Sequence, residues 1–282
     1  MFGQAERLFE LKKLNKNQDL SSSSKIFAFT SGKGGTGKTF ISLNVAYSLS
    51  RKGKKVLFID LDSNLSNANI MINVVASKTI HAFFTEQKLL NELVSEHIPN
   101  LHFIFGDSGK LNYPAKRTGI ISKMFNQLRA MQENYDFIFL DTGSGAGDEI
   151  LSILNQADSN IIVTLPEPTA VMDSYVMIKL LNANQYAGKK LIIVNKCIGR
   201  EDGKITFDKL SMAADHFLKE TPFFLGEISF DHSVSNSIIA QELFLKKYTQ
   251  SKAGQQIEKV SQNLKEFNHM ANILQPKISH AF

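Results

Sequence analysis

The stretch SGKGGTGKT, Ser31 to Thr39, packs four glycines, two lysines and two threonines directly behind the apolar run KIFAFT. Gly32 to Thr39 fits the pattern G-x-x-x-x-G-K-[ST], with a strand-like segment before it and helical periodicity after it. Such a segment folds compactly as a phosphate-binding loop. Its glycines let the backbone curl so that N–H groups face inward, and the dipole of a helix starting near Lys38 adds positive potential there. Lys38 then reaches the β- and γ-phosphates of a nucleotide, and the Thr39 hydroxyl ligates Mg²⁺. Gly34, Gly35, Thr36, Gly37, Lys38, Thr39 and Phe40 form the expected nucleotide-contacting set.

From Lys25 onward, short apolar runs alternate with amphipathic stretches. KIFAFT, KVLFID, LHFIFGD, YDFIFLD, NIIVTL and KLIIVN have strand character, and FFLGEI carries a weaker form of it. Helical spacing appears over Phe40–Arg51, Gly119–Met131, Val171–Leu181 and Phe207–Leu218. The pattern predicts an α/β fold, a mostly parallel, doubly wound sheet with helices on both faces. A chain of 282 residues with 43% hydrophobic content can bury such a core. The single cysteine, Cys197, excludes an internal disulfide and reads as a buried thiol at a strand end. A net charge of +5 suits an anionic ligand, a membrane surface or nucleic acid without choosing among them. No run approaches the ~18 apolar residues of a membrane span, and the N-terminus lacks an apolar signal core, so the expected compartment is the cytoplasm.

A nucleotide hydrolase also needs acids to hold Mg²⁺ and to place a water. VLFIDLDSNLSNAN ends a strand with Asp60 and Asp62, and DFIFLDTGSGAGDE ends another with Asp141 before a glycine-rich bend. Acids at the carboxyl ends of parallel strands sit where such sheets bind ligands. Asp62 has a second reading as a helix N-cap. VNK closes a further strand with Asn195, whose amide suits a purine edge or an ordinary turn.

KGGTGKT, with Lys33 ahead of Lys38, resembles the deviant Walker A signature of the MinD/ParA class of P-loop ATPases. That resemblance implies that Lys33 reaches across an ATP-dependent homodimer to the partner's nucleotide; a solvated surface lysine is the alternative. The pair Asp60 and Asp62, with Asn67 five residues on, resembles the class's first switch. The resemblance implies that Asp62 orients the attacking water, that Asp60 and Asp141 hold Mg²⁺ with Thr39, and that Asn195 meets the adenine. GEISFDHSV is similar to the class's loop near the base, with Ser229 where the class has proline.

Roughly Lys25 to Leu264 resembles the flagellar-number regulators of the FlhG/FleN family, through FDKLSMAADHFLKETPFFLGEISFDHSV, DTGSGAGDE and IIAQELFLKKYTQSKAGQQIEKVSQNL. Four segments are expected: a head helix at 1–14, a serine-rich linker at 15–24, an ATPase domain at 25–264 and an amphipathic tail at 265–282. In the head, GQAERLF keeps Gln4, Ala5 and Leu8 of the family's D-Q-A-x-x-L-R motif, with Gly3 and Phe9 at its other fixed positions. The resemblance implies stimulation of an FlhF-like, signal-recognition-type GTPase through Gln4, and flagellar switch components as further partners. The tail's Phe267, Met270, Ala271, Ile273 and Leu274 lie near one helical face up to Pro276, for sheet packing or for peripheral membrane contact. A DNA-segregation ATPase of ParA type, or a MinD-type regulator of another cargo, is the rival reading. The head and the FlhG-like segments argue against nucleic acid as a partner.

Overall fold

All seven runs expected as strands lie in one eight-stranded sheet. The computed structural model describes residues 25–62, 66–86, 88–107 and 118–273. The head at 1–14, the linker at 15–24, and Leu274 and Pro276 of the tail lie outside the described residues. In chain order the elements begin with β1 (Lys25–Thr30), α1 (Lys38–Arg51), β2 (Val56–Leu61), the short α2 (Ala68–Met71) and α3 (His81–Thr85), β3 (Ser95–Ile98) and β4 (Leu101–Ile104). Then come α4 (Thr118–Met131), β5 (Phe137–Thr142), α5 (Asp148–Gln156), β6 (Ser159–Thr164), α6 (Pro168–Ala183) and β7 (Lys189–Cys197). The last elements are α7 (Asp202–Leu218), β8 (Phe223–Ser229), α8 (Ser233–Ile239) and α9 (Lys252–Ile273).

The strand order is β3-β4-β2-β5-β1-β6-β7-β8, and every pairing is parallel except β3 with β4. The extra strand, β3, is SEHI. It has one apolar residue, lies at the edge, and carries an irregularity between Glu96 and Ile98, so no apolar run announces it. β1 stands between β5 and β6, the point from which the connections diverge to either side. Ligands of such sheets bind outside the carboxyl ends of the strands at that point. The pairing β2 to β5 sets Asp60 directly opposite Asp141.

Successive residues of the central strands enter opposite faces, and both faces are dry. Ile26, Ala28, Leu57, Ile59, Ile138 and Leu140 point to the side covered by α4 to α7. Phe27, Phe29, Phe58, Phe137 and Phe139 point to the side covered by α1 and α9. This second face is an aromatic layer, with Phe29 and Phe139 edge-on at 4.9 Å and Phe27 and Phe139 at 6.1 Å. Burial on both faces explains why these strands read as continuous apolar runs rather than alternating ones.

Helix starts lie earlier than periodicity suggests. α6 begins at Pro168 and α7 at Asp202, because first turns accept a proline and acidic residues that carry no apolar signal. α9 runs unbroken through the boundary drawn at Leu264. Phe267, just beyond that boundary, stacks edge-on against Phe27 at 6.5 Å and Phe223 at 5.8 Å, and Asn268 is buried. The first turn of the tail therefore closes the aromatic layer. Among the described residues, no helix is long and apolar enough to cross a membrane.

Phe267 is partly buried, so truncating it removes part of a full phenylalanine's packing. Phe267→Ala is expected to cost about 2 kcal/mol and lower the melting temperature by roughly 4–8 °C in a thermal unfolding scan. An unchanged midpoint would show that this turn only rests on the sheet.

Candidate nucleotide site

The loop after β1 is shaped by conformations that side chains resist. Gly35 and Gly37 hold φ of +78° and +87°. Gly32 is needed for a different reason: a Cβ there would lie 2.4 Å from Cβ of Asp173, so glycine lets α6 press against the loop.

The loop carbonyls are held from outside. Ser31 Oγ donates to Lys33 O at 2.9 Å, and Asn195 Nδ2 donates to Thr36 O at 2.7 Å. Lys196 Nζ donates to Gly35 O at 2.8 Å, and Ile41 N to Gly37 O at 3.0 Å. In a trans peptide the N–H points opposite to the preceding carbonyl. With these four carbonyls turned outward, the N–H groups of Gly34, Thr36, Gly37 and Lys38 face the other way, toward the space a phosphate fills. Thr36 itself is buried, and Gly34 has open space around it, its nearest neighbour being Ser144 Oγ at 3.7 Å from a Cβ position. Phe40 enters the core and meets Phe244 at 5.5 Å, so its ring takes no part in the site and only its backbone remains available to phosphate.

Beneath the loop, Asp141 collects three donors. Lys38 Nζ lies 2.9 Å from Oδ1, and both side chains are almost wholly buried. Thr39 Oγ1 donates to Oδ2 at 2.6 Å, and Ser42 Oγ to Oδ1 at 3.0 Å. Asp60, opposite in the sheet, accepts Asp62 N at 3.0 Å, Ser66 Oγ at 2.7 Å and Ala68 N at 3.2 Å. Burial, and then the neighbouring Asp141 charge, push the Asp60 carboxyl up to about 6. Asp62 does not cap the following helix, since Asn67 stands at the N-cap of α2. Its Oδ1 instead faces Gly143 in the bend after β5, 3.8 Å from where a Cβ of Gly143 would lie. Thr39, Asp60, Asp62, Asp141 and Lys38 are thus brought to one end of three adjacent strands.

Among the described residues no group of three or more His, Cys, Asp and Glu side chains is spaced to hold a metal. Mg²⁺ commonly takes one or two carboxylates, a hydroxyl, waters and substrate phosphates. Thr39 and Asp141 offer that donor set, and two facing buried carboxylates favour a divalent cation beside them.

Lys33 sits on the rim, 31% exposed, with Nζ 2.7 Å from Glu167 Oε2 and 3.3 Å from Thr169 Oγ1. It is neither free in solvent nor turned into its own loop. Asn195 is 6% exposed and uses its amide N–H to hold the loop, a role that sequence reading missed. Lys196, Ser42, Ser66 and Glu167 were missed as well. Only Ser42 carried a signal, one helical turn after Thr39. Lys196 has φ +56° where the β7–β8 register shifts, and that kink aims its amine back at the loop. Cys197 is buried, and burial pushes its thiol up to about 12, as an inert core cysteine requires.

Two outcomes follow from this geometry. Asn195→Ala leaves the Thr36 carbonyl without its donor and is expected to weaken nucleotide binding roughly 10-fold by calorimetry; unchanged affinity would remove the clamp role. The second concerns pH. Asp60 titrates higher in the folded state than its ordinary 3.8, so between pH of about 4 and 6 the folded chain holds a proton the unfolded chain has lost. Stability from this group is present at low pH and falls as pH rises through that window. Relative to Asp60→Asn, the parent should lose on the order of 2–3 kcal/mol between pH 4 and 6.5 in denaturant titrations. A constant difference would contradict the raised carboxyl.

A family model described as an AAA domain matches residues 24–193. The flagellum site-determining protein YlxH of Helicobacter pylori is 36% identical over 220 residues, covering 76% of this chain and 73% of that protein. The antiactivator FleN of Pseudomonas aeruginosa is 27% identical over 252 residues, covering 88% and 89%. The septum site-determining protein MinD from Pyrococcus horikoshii, solved with Mg-ADP, has the same fold, with a TM-score of 0.70 over 86% of this chain and 96% of that one at 22% identity. With the phosphate loop, Lys33 and the two acid-bearing strand ends in place, the chain belongs to the FlhG/FleN family of MinD-like P-loop ATPases.

Proposed function

We propose that this chain binds and hydrolyses ATP, pairs with a second copy when ATP is bound, and uses that cycle in the cytoplasm, at times against the inner face of the cell membrane, to set flagellar number or placement. The observation that carries the reading is the Asp141 cluster. Lys38, Thr39 and Ser42 all rest on one buried carboxylate directly under the phosphate loop.

When phosphates enter, Lys38 would exchange Asp141 for the β- and γ-oxygens, which would free the Asp141 carboxylate and the Thr39 hydroxyl as metal donors. Thr39, with Asp60 and Asp141 through water, would hold Mg²⁺, which would neutralise charge on the transferred phosphoryl group. Asp62 borders the bend at Gly143 and is suited to orient a water in line with the γ-phosphate. Asp60 accepts from Asp62 N and Ala68 N and so sets where the Asp62 backbone begins. Asn195, pinned to the loop at Thr36, supports the adenine side of the site. Lys33 leaves Glu167 to meet the partner's nucleotide, where a second cation offsets charge that Lys38 alone does not. The head acts on a separate protein: Gln4 is uncharged and short, suited to positioning water in an FlhF-like GTPase. Flagellar switch components are the proposed cargo.

Lys38→Ala is expected to abolish ATP binding in calorimetry. Because that substitution also strands the buried Asp141 charge, at about 3–5 kcal/mol, the Lys38→Ala, Asp141→Asn double variant keeps the test readable if the single one unfolds. Parent-like affinity in either would remove the site. Lys33→Ala should bind ADP as the parent does yet stay monomeric with ATP in light scattering; a normal ATP dimer would return Lys33 to a rim ion pair. For the head, a peptide of residues 1–20 should raise GTP hydrolysis by the cognate FlhF-like GTPase, and Gln4→Ala should remove most of the gain while Glu6→Ala keeps it. No gain from the parent peptide would leave the ATPase body as the only working part.

A further inference from the structure

Between α6 and α7 runs an apolar groove of about 480 Å³. Val171, Met172 and Tyr175 form one wall, and Leu210, Ala213 and Phe217 the other, with Glu167 at the loop end and Lys209 on the rim. Met172 is 60% exposed and Phe217 70% exposed, Val171 and Tyr175 are partly exposed, and Leu210 is buried at the base, so the groove presents apolar side chains to solvent at both walls. None of them takes part in the nucleotide site, though Glu167 links the groove's upper end to Lys33.

We infer that the chain's own head, residues 2–14, is the occupant of this groove. At 100° per residue, Phe2, Ala5, Leu8 and Phe9 fall within about one third of a helix circumference, the stripe an amphipathic helix lays into a groove. Thr206 to Phe217 on α7 spans ~16 Å, and Phe2 to Phe9 on a helix span ~10 Å, so the stripe fits within the groove.

The tether also reaches. The head joins the fold at Lys25, the start of β1, next to β6, and β6 leads straight into α6. The ten residues 15–24 extend to ~33 Å. A six-residue strand is ~20 Å long and neighbouring strands lie ~5 Å apart, so the groove falls within range. The other end of the described chain leaves from α9, which packs on the opposite, phenylalanine-rich face. A tethered segment also has an effective concentration in the millimolar range, which a second copy at micromolar concentration does not match. This inference needs only the groove and the tether; it stands whether or not the head acts on a GTPase.

A fluorescent peptide of residues 1–16 tests it against full-length proteins in anisotropy titrations. Leu8→Asp with Phe9→Asp in the full chain should empty the groove, so this variant should bind the peptide at least ~10-fold tighter than the parent does. Adding Met172→Asp, a change at an exposed position, should return binding to the parent's weak level. Equal binding by the parent and the head variant, or no loss with Met172→Asp, would overturn the inference. A parent dimer without nucleotide that Met172→Asp dissolves and the head variant preserves would overturn it too, by making a second copy the occupant.

Discussion

The buried carboxylate of Asp141 is the point on which the structure turns. It sits at the end of β5, between β1 and β2, and accepts from Lys38, Thr39 and Ser42 at once. An unpaired charge at that depth would be strongly unfavourable, and so would a buried ammonium without a partner. Each satisfies the other, and the pair joins the first turn of α1 to the strand beside it. The loop between Gly32 and Lys38 is thus tied at its C-terminal end. Asn195 and Lys196 hold its middle carbonyls from β7. A backbone rich in glycine, which alone would sample many shapes, is kept in one.

The same pairing bears on the neighbouring strand. Asp60 faces Asp141 across the sheet and is raised toward neutrality by burial and by that neighbour. Its oxygens accept from Asp62, Ser66 and Ala68, so the charge balance at the strand ends is linked to the segment that carries Asp62. A phosphate group that draws Lys38 away, with a divalent cation beside it, changes the charge both carboxylates see. Lys33 stands outside this network, held to Glu167 next to the start of α6.

The sheet was legible because its strands are buried on both faces and read as unbroken apolar runs. β3 was not, since an exposed edge strand of Ser, Glu, His and Ile has no such run. That Lys38, Thr39, Asp60, Asp62 and Asp141 lie together at one end of the sheet was legible from a short motif and from acids that end apolar strands. The partners that hold them were not. Asn195 meets Thr36 across 159 residues of chain, and the aim of Lys196 depends on a positive φ that only the fold reveals. The boundary at Leu264 was drawn where family likeness faded, whereas α9 continues because Phe267 still has the aromatic layer to pack against. The ring of Phe40 was not legible as a core side chain from its place in the motif, which bears only on its backbone.

The central claim is that the strand-end acids and the two lysines form one ATP-driven switch, in which Asp62 acts only after the nucleotide is bound. Light scattering of Asp62→Ala with ATP and Mg²⁺ tests it most directly. The account predicts a stable dimer of this variant that releases no phosphate, against a monomer with ADP. A variant that stays monomeric with ATP, or that dimerises and turns over at the parent's rate, would contradict it.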